Sequence, residues 1–100
     1  MRKIKELKKY WQQRKAEIRI GKAGLSENIL REIDRRLEEQ EIVKVKILRS
    51  AFAVEKKDRF QIAQEVAKKL NAMLVEVRGK TFIVYRKRRK NLKKKLKTST

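Results

Sequence analysis

Cysteine and histidine are absent from this chain, and glycine occurs three times in 100 residues. Without cysteine there are no disulfides and no thiolate metal sites, so the core must hold itself together. Without histidine the commonest general base and the commonest zinc ligand are both missing. No nucleophile–base pair of the Cys or His type can be assembled, which leaves catalysis to Lys, Asp and Ser alone. No apolar run exceeds four residues: "AFAV" (51–54), "AMLV" (72–75) and "FIVY" (82–85) are the longest. Such runs are too short for a membrane span or an ordinary secretory signal.

What the chain has in excess is positive charge. Lys and Arg number 31 against 12 for Asp and Glu, a formal net charge of +19. Self-repulsion on that scale weakens a compact state unless a polyanion relieves it, and nucleic acid is the expected one. An acidic membrane surface and a merely basic soluble protein are the alternatives. The distribution is uneven. Residues 26–41 hold six acids (Glu27, Glu32, Asp34, Glu38, Glu39, Glu41) against three arginines, whereas "RKRRKNLKKKLK" (86–97) holds nine cations and no acid. A polarised molecule follows, with one side toward solvent and one toward an anion.

The length fits one domain with one modest core. Residues 1–15 read as a basic helix with Ile4, Leu7 and Trp11 on one stripe. A short alternating strand covers 16–20, with Ala16, Ile18 and Ile20 to one side. Ser26 then caps the clearest helix, whose stripe is Ile29, Leu30, Ile33 and Leu37. "VKVKIL" (43–48) is the clearest strand, and 49–57 has no period and reads as a loop. A helix runs from a cap at Asp58 to Leu70, and Asn71 ends it in the left-handed conformation. A hairpin closes the domain: strands at 73–77 and 81–86 around the turn Arg78-Gly79-Lys80. The order is α-β-α-β-α-β-β, a mixed four-stranded sheet with helices packed on it (α/β, a two-layer α+β arrangement). The domain spans 1–87 and a basic tail 88–100.

Two of the three glycines fall in "GKAG" (21–24), between the first strand and the capped helix. Such a loop offers backbone N–H groups and a helix dipole to an anion, and its glycines let a sugar-phosphate chain approach. A tight strand-to-helix turn is the plainer explanation. The candidate RNA-binding residues are this loop (Gly21, Lys22, Ala23, Gly24), the sheet-face and hairpin cations Arg19, Lys44, Lys46, Arg78 and Lys80, and two groups flanking the domain. The first is Lys8, Lys9, Arg14 and Lys15; the second is Arg86, Lys87, Arg88, Arg89, Lys90, Lys93, Lys94 and Lys95. "RGKT" (78–81) mimics the end of a P-loop, but Leu74 stands where that motif needs glycine and a strand follows instead of a helix.

"IRIGKAGLSENILREIDRRLEEQEIVKVKIL" followed by "AQEVAKKLNAMLVEVRGKTFIVYR" resembles the CRM domain (chloroplast RNA splicing and ribosome maturation) over about residues 3–87. The bacterial stand-alone form of that domain is the YhbY-like proteins. The resemblance implies a fold similar to the C-terminal domain of bacterial translation initiation factor three. It also implies RNA binding, with residues 21–24 matching the family's GxxG loop. Stand-alone members are tied to the large ribosomal subunit and its precursors, and plant members to group II intron splicing. The expectation for this chain is a cytoplasmic, monomeric, non-catalytic binder of large-subunit rRNA among neighbouring ribosomal proteins, as ribosomal protein or assembly factor. No cofactor, metal, membrane or small-molecule substrate is expected. The tail is longer than the family core requires and resembles the arms that ribosomal proteins thread into rRNA. A sequence-blind DNA- or RNA-coating protein of the Alba kind and an intron- or tRNA-binding RNA chaperone are the competing readings.

Overall fold

The computed structural model describes residues 13–87. The expected N-terminal helix lies outside them up to residue 12, and 13–15 form a turn and an irregular stretch instead of its last turn. Lys8, Lys9 and the tail cations Arg88, Arg89, Lys90, Lys93, Lys94 and Lys95 also lie outside. The described elements are β1 (Ile18–Ile20), α1 (Glu27–Gln40), β2 (Ile42–Ile47), α2 (Arg49–Glu55), α3 (Arg59–Lys69), β3 (Met73–Arg78) and β4 (Thr81–Tyr85).

Alternation of β-branched residues sets the sheet. Ile18 and Ile20 of β1, Val43, Val45 and Ile47 of β2, and Phe82 and Val84 of β4 all turn to one face and are buried there. The strand order is β1-β2-β4-β3. β1 pairs with β2 in parallel, as a strand–helix–strand crossover requires, and the other two pairings are antiparallel. A bulge between Leu74 and Glu76 shifts the β3–β4 register.

The helices cover the inward face, α1 against β1 and β2 and α3 against β3 and β4. Ile33 and Leu37 of α1 and Ile62, Ala63, Val66 and Ala67 of α3 complete the core. Both helices begin where their side chains cap them. Ser26 Oγ accepts from the Ile29 N–H at 3.3 Å, and Asp58 with Gln61 forms a reciprocal capping box. Asn71, just past α3, has φ 56°, the left-handed stop expected of it. On the outward face Ile42, Val75, Ile83 and Tyr85 form a second, smaller cluster.

The structure corrects two more expectations. Residues 49–55 are the short helix α2, not loop; its Ala51 is buried in the core. And Arg86, expected among the RNA-binding cations, is 6% exposed and turned inward. Its Nη1 donates to Asp34 Oδ1 and to the Leu70 carbonyl, each at 2.7 Å, and its Nη2 to Glu38 Oε2 at 2.9 Å and the Asp34 carbonyl at 3.2 Å. These bonds fasten the end of the hairpin to α1 and to the end of α3, so the guanidinium belongs to the fold. Arg86→Met should cost roughly 3 kcal/mol, the low end for a broken buried pair because Asp34 and Glu38 keep some solvent access. Urea denaturation of the two proteins measures it, and a change under about 0.5 kcal/mol, the size typical of an exposed surface site, contradicts the role.

Candidate nucleic-acid interface

Strand direction gathers the site. With β2 parallel to β1, β4 antiparallel to β2, and β3 antiparallel to β4, one end of the sheet collects the loop after β1, the entry to α2 and the 78–81 turn. Hydrogen bonds knit that end together: the Leu48 N–H to the Ile20 carbonyl at 2.9 Å and the Ile47 N–H to the Lys80 carbonyl at 2.7 Å.

The last row at this end to cross all four strands is Arg19, Lys46, Thr81 and Arg78. Residues opposite one another in a ladder share a face, and this row lies on the side away from the core. It spans about 14 Å, three strand spacings. Arg19 and Lys46 are exposed and have no carboxylate partner among the described residues. Arg78 is 71% exposed, with its Nε 3.8 Å from Glu76. Lys80 is exposed in the adjoining turn.

The glycine loop is a tight turn closed by the Gly24 N–H donating to the Gly21 carbonyl at 2.8 Å. Lys22 and Ala23 form its exposed tip. The two glycines turn out to differ. Gly24 is buried at φ +66°, and a Cβ there would sit 2.3 Å from Glu55 Oε2 and 3.2 Å from Val54 Cγ1. The left-handed backbone by itself accounts for this glycine, without an outside chain. At Gly21 a Cβ would meet only Leu48 Cδ1, at an ordinary 3.8 Å. Nothing internal requires glycine there.

Glu55 was not foreseen. Its carboxylate accepts from the Leu25 N–H at 2.8 Å, pinning the loop to the end of α2. An internal carboxylate thus occupies part of the anion site expected at the start of α1, and the face left to a ligand is the Gly21–Ala23 tip. The signal was hidden because α2 is under two turns long and its end is Lys56, left-handed at φ 55°, without a glycine to mark it.

The remaining candidates are dispersed. Lys44 is on the outward face but one row back, opposite Ile83, and its Nζ donates to the Arg14 carbonyl at 2.7 Å. Arg14, Lys15 and Lys87 are exposed beyond the other end of the strands. Several of the acids, meanwhile, are committed on the helix side. Arg35 bonds Glu32 and Glu39 at 2.9 and 2.8 Å, and that hydrogen bond holds the Glu32 carboxyl below its ordinary range. Lys57 does the same to Glu65.

The CRS1/YhbY (CRM) domain family matches residues 1–86. The chain belongs to this family. Probable RNA-binding protein MJ0652 of Methanocaldococcus jannaschii is 38% identical over 69 residues, 69% of this chain and 49% of that protein. Probable RNA-binding protein YqeI of Bacillus subtilis is 28% identical over 72% of this chain and 71% of its own length. This CRM chain therefore spans about half of the archaeal relative and most of the bacterial one. Its fold is similar to the solution structure of SAV1595, a hypothetical Staphylococcus aureus protein to which RNA binding is provisionally ascribed. The TM-score is 0.64 at 28% identity, covering 84% of this chain and 83% of that one.

The unequal glycines give a direct test by thermal unfolding. Gly24→Ala should destabilise this CRM domain by about 2 kcal/mol through its left-handed backbone and the displaced Glu55. Gly21→Ala should melt within a degree or two of the parent. Equal losses at both positions would contradict the geometry.

Proposed function

We propose that this protein is a non-catalytic RNA-binding protein that grips a phosphate backbone at the basic end of its sheet. The observation that carries the reading is a coincidence of place. The Gly21-Lys22-Ala23 loop with its exposed tip, Arg19, Lys46 and Lys80 meet at one end of the sheet, and none of those cations has a carboxylate partner among the described residues. Backbone donors at the tip and point charges along the row suit a chain of phosphates, and Gly21 lets that chain come close. Relatives named as probable RNA-binding proteins support the choice of RNA over DNA.

The resemblance to stand-alone YhbY-like proteins carries the reading further, to rRNA of the large subunit in the cytoplasm, as an assembly factor or a resident ribosomal protein. The exposed cations Arg14, Lys15 and Lys87 and the half-buried Lys44 then form a second, weaker contact region, and the tail cations follow a groove.

In-cell crosslinking with sequencing of the attached nucleic acid tests both levels. Reads from the parent should cluster at one or two large-subunit rRNA helices, and the share from unprocessed precursor separates assembly factor from resident protein. A folded Lys22→Asp, Ala23→Asp variant should lose at least about tenfold of that yield, since it replaces a phosphate contact with repulsion. Reads scattered over introns, tRNA or genomic DNA would break the ribosomal assignment. An undiminished yield from the variant would remove the loop from the interface.

A further inference from the structure

Beside the proposed interface, at the same end of the molecule, lies a cleft of about 450 Å³ lined by Phe52, Asp58, Arg59, Phe60, Gly79 and Lys80. Its walls are the middle of α2, the start of α3 and the β3–β4 turn. Phe60 is 48% exposed, an unusual position for a large aromatic side chain in so charged a protein. The Arg59 guanidinium lies 5.0 Å from the centre of the Phe60 ring and donates to the Gly79 carbonyl at 3.3 Å, joining α3 to the turn. The cleft thus has an aromatic floor, cations at Arg59 and Lys80 on its rim, and one acceptor, the Asp58 carboxylate, which also caps α3.

We infer that this cleft receives one unstacked base of a single-stranded RNA, lying on the Phe60–Arg59 pair while the flanking phosphates meet Lys80 and Arg59. The inference rests on the RNA-binding reading and adds to it a contact with a base. The chemistry decides the occupant. A phosphate would find an apolar floor and a carboxylate in the cleft, which repel it. A heterocycle finds π surface, a cation for its ring and an acceptor for an exocyclic amine. A base held by stacking leaves its sequence largely unread, so the contact favours unpaired RNA over duplex without selecting a sequence.

The test compares two probes of equal charge: an oligocytidine dodecamer, whose bases carry an exocyclic amine, and a dodecamer of abasic ribose phosphates. The parent protein should bind the base-bearing probe about tenfold more tightly. Phe60→Ala should bind both alike, with the salt dependence unchanged because no cation is lost. Phe60→Tyr, which keeps the ring, should retain the preference and so separates loss of stacking from loss of folding. Equal binding of the two probes by the parent, or a preference that survives in Phe60→Ala, overturns the cleft while leaving RNA binding intact. Failure of the parent to bind either probe, nor a large-subunit rRNA fragment, overturns both readings together.

Discussion

Electrostatic self-repulsion is the constraint around which this domain is arranged. A chain with 31 cations and 12 anions cannot neutralise itself, so where the few carboxylates go decides what surface remains. They go chiefly to the helix layer. Glu32 and Glu39 hold Arg35, Glu65 holds Lys57, and Asp34 with Glu38 pays for burying Arg86. Glu55 is spent on a backbone N–H of the glycine loop. Although the carboxylate of Glu76 lies 3.8 Å from Arg78, the sheet end that carries Arg19, Lys46 and Lys80 receives none of these apart from Glu55. Its positive potential is what remains when the acids are used elsewhere for folding.

The same economy explains the loop. Gly24 is needed because the chain must turn left-handed against α2, and Glu55 then fastens it there. With that side anchored, the tip at Lys22 and Ala23 is presented outward, and Gly21 is the position where nothing inside the fold requires the absence of a side chain. A rigid presentation lowers the ordering cost of binding, which a loose lysine-bearing loop would have to meet at each encounter.

Much of this was legible in the residues. Long amphipathic periods announced α1 and α3, strict alternation announced β2, and Ser26, Asp58 and Asn71 marked ends where they were expected. Pairing Arg19 with Lys46 on one outward face was also readable from alternation, whereas Arg78, taken for a turn residue, joins that face in a strand whose alternation is broken by the bulge between Leu74 and Glu76. Two features were not. α2 has seven residues and no side-chain cap, too little for a period to show, and Glu55 went unseen with it. Arg86 begins a run of cations and shares their local pattern. Only the approach of Asp34 and Glu38, 52 and 48 residues away in the chain, makes it an interior residue.

The most direct test of the account is to locate RNA on the protein surface by photocrosslinking a 4-thiouridine dodecamer and identifying the modified peptides by mass spectrometry. Crosslinks should fall in 19–24, around Lys46 and in 78–80, at the end of the sheet where Arg19, Lys46 and Lys80 have no carboxylate partner among the described residues. Crosslinks concentrated on the outer surface of α1, around Arg31 and Arg35, would place RNA on the acid-bearing side and contradict the central claim.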